Sequence, residues 1–341
     1  MMLVAKVGYK HWNTRGFSLH SSVAVGVFDA YRTLAQGLLM NPLIIAAIAV
    51  VVLCVGGVLW WLLITTEGVY LGRRVVVWLY DVYARRYDRI KQYNPAWESA
   101  TLGRPLLRAL LDIPAPIVLD VATGTARLPL AIFGQPAFNG YVIGLDYSRR
   151  MLHVAAEKVA PIGFRVTLIY QPAQKLPFGD NTFDAVTCLE ALEFMPDPDA
   201  VIAEIVRVAR PGALLLLTVR KGVEARLMPG KTMDRDAFAA HLYERFGLEE
   251  IVLAVWQIDY DLVWALKPGE SASAPAHSVE EILCCPGCGQ TALIRASGDS
   301  SGLRCTECET WIPIASDGVI DYADAILAGY EAEYTRGFKS S

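Results

Sequence analysis

The sequence predicts an α/β protein: a doubly wound, mostly parallel sheet covered by helices, preceded by a transmembrane helix and followed by a small cysteine ribbon. Three observations carry that expectation. Short apolar runs alternate with helical patterns over residues 101–268, as parallel strands joined by covering helices require. Residues 43–64 run for 22 positions without a charge. Two C-x-x-C pairs, Cys285-Pro-Gly-Cys288 and Cys305-Thr-Glu-Cys308, stand 16 residues apart. The 341 residues are 54% hydrophobic and 19% charged, against a usual ~45–50% and ~25%. This balance excludes a disordered chain and a general nucleic-acid-coating protein.

The apolar run LIIAAIAVVVLCVGGVLWWLLI accounts for most of the positive mean hydropathy of +0.34. As a helix at about 1.5 Å per residue it would span about 33 Å, matching a hydrocarbon core of about 30 Å. A secretory signal has a shorter apolar core of about 7–15 residues and a small-residue cleavage site. Here Trp60 and Trp61 lie near the far end, where an interfacial belt belongs. Basic residues flank both sides, but Arg73, Arg74, Arg85, Arg86, Arg89 and Lys91 are denser and closer than Lys6, Lys10, Arg15 and Arg32. The positive-inside rule therefore favours a single-pass protein whose C-terminal side faces the cytoplasm. Tyr70, Trp78, Tyr80, Tyr83 and Tyr87 interleave with those arginines. That pattern suits a helix at headgroup level, its basic side chains toward anionic membrane lipid, or equally a linker helix packing its aromatics on the next domain.

The expected organisation is an N-terminal segment 1–41, a transmembrane helix 42–65, a juxtamembrane helix 66–100, a main domain 101–268, a linker 269–281, a ribbon 282–325 and a tail 326–341. Net charge runs from +5 over residues 1–100 through −2 to −7 over 269–341, which the total of −4 conceals. An acidic tail is a poor phosphate binder, so nucleic acid is not an expected partner. The joint Pro268-Gly-Glu-Ser-Ala-Ser-Ala-Pro-Ala276 is too rich in small residues and proline to build a packed element.

Within the main domain, Ile117-Val-Leu-Asp-Val121 reads as a buried strand that enters the small-residue turn Ala122-Thr-Gly-Thr-Ala126, with a helix beginning near Arg127. A second strand, 141–145, ends on Asp146, and Ser148 is placed to cap the next helix. A tight turn lets a ligand approach the backbone, and an acid at the end of the following strand can take both hydroxyls of a ribose. Dinucleotide binding is the rival reading; against it, Ala122 and Ala126 stand where a strict G-x-G-x-x-G has glycines.

The succession Val118-Leu-Asp-Val-Ala-Thr-Gly-Thr-Ala126, Gly144-Leu-Asp-Tyr-Ser148 with Met151-Leu152, and Leu176-Pro-Phe178 with Phe183-Asp184 resembles the class I S-adenosylmethionine-dependent methyltransferases. The similarity is to the small-molecule group that includes ubiquinone/menaquinone methyltransferases, and it covers roughly residues 75–267. It implies a Rossmann-like sheet whose antiparallel last strand falls within 259–268. It implies that Asp120, Ala122, Thr123, Gly124 and Thr125 hold the amino-acid part of S-adenosylmethionine, with Asp146 on the ribose. Tyr147 would cover one adenine face, Ala173 and Gln174 would contact the adenine edge, and Leu189 would lie where the fourth strand opens toward the methyl. Pro172 occupies the place of an acid that in many relatives receives the adenine amino group. Ala126 replaces a small third glycine, at little cost if its φ is negative.

A sulfonium methyl is already activated, so transfer is accelerated mainly by positioning and exclusion of water. A base is needed only if the acceptor must lose a proton. Glu190 and Glu193, just past the fourth strand, are the candidates, each also readable as a solvated helix-face carboxylate. Cys188 reads as a small buried hydrophobe, and so does Cys54. The histidines His11, His20, His153, His241 and His277 are scattered.

The spacing of Cys285, Cys288, Cys305 and Cys308 lets four thiolates close a tetrahedron around structural Zn2+. Disulfides are the alternative, but they need an oxidising compartment, whereas S-adenosylmethionine is cytosolic. Cys284 is left over. The segment 283–321 resembles the zinc-ribbon proteins that activate tRNA and translation-factor methyltransferases, which implies a ribbon packed on the methyltransferase domain. The expected function is a membrane-anchored methyltransferase acting on a lipophilic, quinone- or lipid-like acceptor. The alternatives are a methyltransferase of RNA or of a translation protein, and a non-catalytic scaffold of the same fold.

Overall fold

A computed structural model describes residues 42–271, 278–296 and 301–323. The expected segment 1–41, the core of the linker, the tail 326–341, and His11, His20 and His277 lie outside the described residues. The chain divides into two units at Trp60 and Trp61.

In the first unit, helix α1 (Pro42–Trp60) has no buried residue. Together with a wider helical turn to Thr65 it forms a 24-residue run whose most apolar 18-residue window has a mean hydropathy of 2.9, long and apolar enough to cross a membrane. Cys54 is exposed on it rather than buried.

The second unit starts with a segment that is not one continuous helix. Gly68 and Gly72, both at positive φ, break it before α2 (Arg73–Tyr83), and Gln92 at φ 50° breaks it again after the single turn Tyr87–Ile90. Asn94 then caps the turn Pro95–Glu98 through the amides of Ala96 and Trp97. Val76, Leu79 and Ala84 are buried, whereas Trp78 and Val82 are exposed. The interleaved aromatics thus serve packing on the domain as well as an outer apolar face. Helix α3 (Arg104–Leu110) leads to the sheet.

The strands are β1 (Ile117–Val121), β2 (Tyr141–Asp146), β3 (Val166–Tyr170), β4 (Phe183–Cys188), β5 (Ala209–Arg220), β6 (Glu249–Val255) and β7 (Tyr260–Leu266). The connecting helices are α4 (Arg127–Phe133), α5 (Arg149–Val159), α6 (Pro198–Val208) and α7 (Arg235–Phe246). After β7 come the ribbon strands β8 (Leu293–Arg295), β9 (Gly302–Cys305) and β10 (Trp311–Pro313), then the two-residue β11 (Ile320–Asp321). The main sheet has the order β11-β3-β2-β1-β4-β5-β7-β6, parallel except where β7 joins β5 and β6. Every residue of β1 and of β4 is buried, as expected for apolar strands covered on both faces. Ser148 caps α5 by accepting from the Met151 amide at 3.2 Å.

The chain order reverses between β1 and β4, which leaves a crevice at their C-terminal ends. Asp120 lies opposite Gly144 of β2 on one side and Thr187 of β4 on the other. A Cβ on Gly144 would meet Thr123 Oγ1 at 2.9 Å, so the turn after β1 can settle only against a glycine.

Strands β8 to β10 form a separate three-stranded sheet. Strand β11 leaves it to pair in parallel with β3, Ile320 opposite Ile169. Leu283, Leu303 and Ile312 belong to the same apolar cluster as Leu176 and Phe178 of the main domain.

Candidate active site

Three residues of the turn after β1 adopt left-handed backbone: Ala122 (φ 58°), Gly124 (φ 55°) and Ala126 (φ 65°). Ala126 thus lacks the negative φ at which its methyl would cost little. The helix can start only after a reversal at that position, and the methyl is carried at a conformational cost. Gly124 donates its amide to Asp146 Oδ2 at 2.8 Å, and a Cβ placed on it would meet nothing within 4 Å. The backbone here opens onto space.

That space consists of two adjoining hollows. The larger is lined by Ala122, Gly124, Asp146, Tyr147, Ala173, Gln174 and Leu189 among others. The smaller is lined by Asp120, Thr123 and Thr125 and shares Ala122, Gly124 and Leu189 with the first. All ten residues that the sequence assigned to the cofactor thus line one connected cleft.

Two carboxylates set its electrostatics. Asp146 accepts from the amides of Gly124 and Ser148, each at 2.8 Å, yet burial still pushes its pKa up to about 6. Asp120 is also pushed up to about 6 by burial, although Thr187 donates its hydroxyl to it at 2.6 Å. Tyr147 is not an open platform: its ring stacks on Tyr170 at 5.2 Å, and Arg73 lies 4.8 Å over it. A flat base covering Tyr147 must displace one of these neighbours. Gln171 and Gln174 line the cleft, each with a buried Oε1 that lacks a hydrogen-bond partner. Two unmet acceptors therefore flank Pro172, where the acid is missing.

Glu190 and Glu193 are both buried, which excludes the solvated helix-face reading. Glu190 accepts from Arg127 Nη1 at 3.0 Å and Gln257 Nε2 at 3.1 Å, with Lys91 Nζ 3.2 Å away. Burial alone would raise its pKa, but Lys91 and Arg127 outweigh burial and hold the carboxyl below its ordinary range. It is a locked anion and a poor proton acceptor. Burial raises the pKa of Glu193, which receives the Tyr260 hydroxyl and lies 3.6 Å from Arg220. Cys188 is fully buried, and burial pushes its thiol well up, so it is no nucleophile.

Sequence reasoning named no cleft residue in the segment before β1. Arg73, Val76, Tyr80 and Tyr87 line the larger hollow alongside Phe194 and Met195. Their only signal was the aromatic and basic spacing, which a membrane-surface helix would share.

In the ribbon, the sulfurs of Cys285, Cys288, Cys305 and Cys308 all lie within 4.8 Å of one another, with pairs at 3.4 and 3.6 Å. Cys284 stands outside this cluster, its amide donating to Pro177 O at 2.9 Å.

Residues 119–217 match the family model described as a methyltransferase domain. The chain is 38% identical over 140 residues to a demethylmenaquinone methyltransferase of Anoxybacillus flavithermus, covering 39% of this chain and 57% of that protein. It is 37% identical over 148 residues to a demethylmenaquinone methyltransferase of Bacillus cereus, covering 40% and 60%. The chain thus spans less than two thirds of the length of these relatives. A solved structure of a SAM-dependent methyltransferase from Aquifex aeolicus is 22% identical with a TM-score of 0.39, covering 51% of this chain and 99% of that one.

Proposed function

We propose that this chain, which carries a methyltransferase domain, transfers a methyl group from S-adenosylmethionine to a lipophilic, quinol-like acceptor. The convergence of all ten assigned residues on one cleft carries the cofactor half of this reading. The demethylmenaquinone methyltransferases that share about 37–38% identity with it support the acceptor half.

The cleft suits the cofactor on its own features. Gly124 offers the room into which a Cβ would project, and the unmet Oε1 atoms of Gln171 and Gln174 suit an exocyclic amino group. Asp146 would take the ribose hydroxyls, and Asp120 with the 122–125 turn the amino-acid part. When bound, S-adenosylmethionine supplies an electrophilic methyl on a positively charged sulfur. The protein's part is to orient the two reactants and keep water out, for which the aromatic cover of Tyr80, Tyr87 and Phe194 is suited. With Glu190 locked in ion pairs, proton removal from the acceptor falls to another group.

Two further readings belong to the same proposal. The run Pro42–Thr65 anchors the protein in a membrane in one pass, with the catalytic domain on the cytoplasmic side. The four ribbon thiolates hold Zn2+: at about 2.3 Å per Zn–S bond a tetrahedron has edges of about 3.8 Å, within the observed range of sulfur separations. Four cysteines leave no open coordination position, so the metal is structural.

The test is incubation of the full chain, in detergent, with methyl-labelled S-adenosylmethionine and either extracted lipid or RNA from the same cells. Label in the quinone fraction is the expected result. Label in RNA alone overturns the acceptor assignment, and absence of cofactor binding by calorimetry overturns the enzyme reading.

A further inference from the structure

Between Thr66 and Lys91 the chain holds three acids, and the fold turns all of them inward. Glu67 accepts from the Tyr80 hydroxyl at 2.8 Å, Asp81 from the Ser148 hydroxyl, and Asp88 from the Thr125 hydroxyl and Lys158. Of the six basic residues in the same stretch, Arg73 lies over Tyr147 and Lys91 faces Glu190. The other four, Arg74, Arg85, Arg86 and Arg89, are exposed, and among the described residues none of them has an acid partner.

Arg74, Trp78, Val82 and Arg85 follow one another at spacings of four, four and three, so they share one face of α2 and of the turn that extends it. On this face Trp78 is 59% and Val82 51% exposed, whereas Val76 and Leu79, turned the other way, are buried. Apolar side chains standing in water between unpaired arginines suit a partner that is both apolar and negatively charged. The apolar run that ends at Thr65 is fastened close by. Trp61 Nε1 donates to Leu227 O at 3.0 Å, and the Trp61 ring stacks on Tyr70, whose hydroxyl donates to Pro229 O at 2.7 Å. No free linker therefore separates the last turn of that run from the domain, and α2 starts eight residues after Thr65.

We propose that this outer face of α2 lies on the surface of an anionic bilayer. Trp78 and Val82 enter the headgroup boundary, where an indole ring is favoured, and Arg74, Arg85, Arg86 and Arg89 meet lipid phosphates. Nucleic acid would use the arginines but leave the apolar centre of the face wet. The inner face of the same helix lines the cofactor cleft through Val76, Val77 and Tyr80, so a single helix stands between cleft and lipid. This inference rests on the single-pass reading above and adds a second contact between the protein and the membrane.

The experiment places the full chain in nanodiscs of phosphatidylcholine, with or without phosphatidylglycerol, whose acyl chains are brominated near the headgroup. The Trp78 signal is the fluorescence of each protein minus that of its Trp78→Phe counterpart. With phosphatidylglycerol present, bromination lowers this signal about twofold or more, and high salt restores it. Arg74→Gln, Arg85→Gln, Arg86→Gln and Arg89→Gln combined abolish the quenching, and S-adenosylhomocysteine affinity by calorimetry stays within about twofold of wild type, since none of the four lines the cleft. Quenching that responds neither to phosphatidylglycerol nor to the arginines overturns the anionic-lipid assignment. An unquenched Trp78 in discs that quench Trp60 overturns the docked face and leaves the membrane span standing; if such a protein binds RNA through the four arginines, the face belongs to nucleic acid. If Trp60 is not quenched either, the span reading fails and this inference fails with it.

Discussion

Ser148 donates its hydroxyl to Asp81 Oδ1 at 2.6 Å, joining α2 to the residue that caps α5. The Ser148 amide meanwhile donates to Asp146, the carboxylate assigned to the ribose. Asp81 also accepts from the Arg150 amide at 3.2 Å, so a carboxylate from outside the sheet sits at the positive end of α5. This is one of several ties from the segment before β1 to the proposed cofactor site: Asp88 also accepts from the Thr125 hydroxyl at 2.6 Å, and Arg73 lies over Tyr147.

Asp81→Ala is therefore expected to act as the loss of a positioning residue. It should cost about 1 kcal/mol of stability, as the loss of a helix cap does, and weaken cofactor binding several-fold. Calorimetric titration with S-adenosylhomocysteine beside a thermal melt checks both. A lowered melting temperature with unchanged affinity would show that the contact is structural only.

Binding of the cofactor should weaken in acid. Burial holds Asp146 and Asp120 near 6, against the usual 3.8. Ribose hydroxyls are donors and need the ionised Asp146, so affinity falls as pH drops through 6. Asp146→Asn should bind weakly at neutral pH and show a shallower pH dependence, since the Asp120 proton remains. Stability of the empty domain carries the opposite sign. Both pKa values are raised on folding, so these two groups stabilise the fold as pH falls through 6 toward 4. Titrations and melts between pH 5 and pH 8 read the two trends separately.

Much of this site was legible because its residues are close in sequence. A buried strand, a small-residue turn and an acid ending the next strand define the cleft within 117–148, and local chemistry decides each of them. What was not legible depends on distant partners. Glu190 reads as an exposed acid until Arg127 and Lys91, 63 and 99 positions away, are seen to enclose it. Pro172 reads as a lost hydrogen bond until the unmet Oε1 atoms of Gln171 and Gln174 are placed beside it. Strand β11 is two residues long and joins the sheet edge by pairing with β3, about 150 residues earlier, so no local period announces it. The aromatic and basic spacing of 70–91 was ambiguous for the same reason: only the packing of Val76 and Leu79 shows which face turns inward.

The left-handed alanines supply a test of the turn. An alanine at φ near +60° costs about 1–2 kcal/mol relative to a relaxed backbone, while glycine loses part of that gain through greater freedom when unfolded. Ala122→Gly is expected to stabilise the protein by about 1 kcal/mol, a rise of about 2–4 °C in melting temperature for a domain of this size. Ala126→Gly relieves the same strain, but its methyl is buried among Leu152 and Ala155, so its net effect should be near zero. If the two substitutions shift the melt equally, backbone strain at Ala122 is not the dominant effect.

The metal proposed for the ribbon should be felt at the proposed cofactor site. Arg149, the first residue of α5, holds Asp317 through two hydrogen bonds at 2.8 and 3.0 Å, and His153 adds a contact at 3.0 Å. Burial alone would raise the Asp317 carboxyl, but these bonds outweigh it and draw the group down to about 2. With β11 paired to β3, loosening the ribbon frees both the edge of the sheet and the outer face of α5, whose N-terminus Asp81 and Ser148 fix beside Asp146. Cys305→Ser should therefore lower bound zinc by at least half, lower the melting temperature, and weaken S-adenosylhomocysteine binding. Asp317→Ala should keep the zinc and still weaken binding, because it cuts the link without touching the thiolates. Full affinity in both variants, measured with zinc content on the same samples, would mean that ribbon and cofactor site are independent.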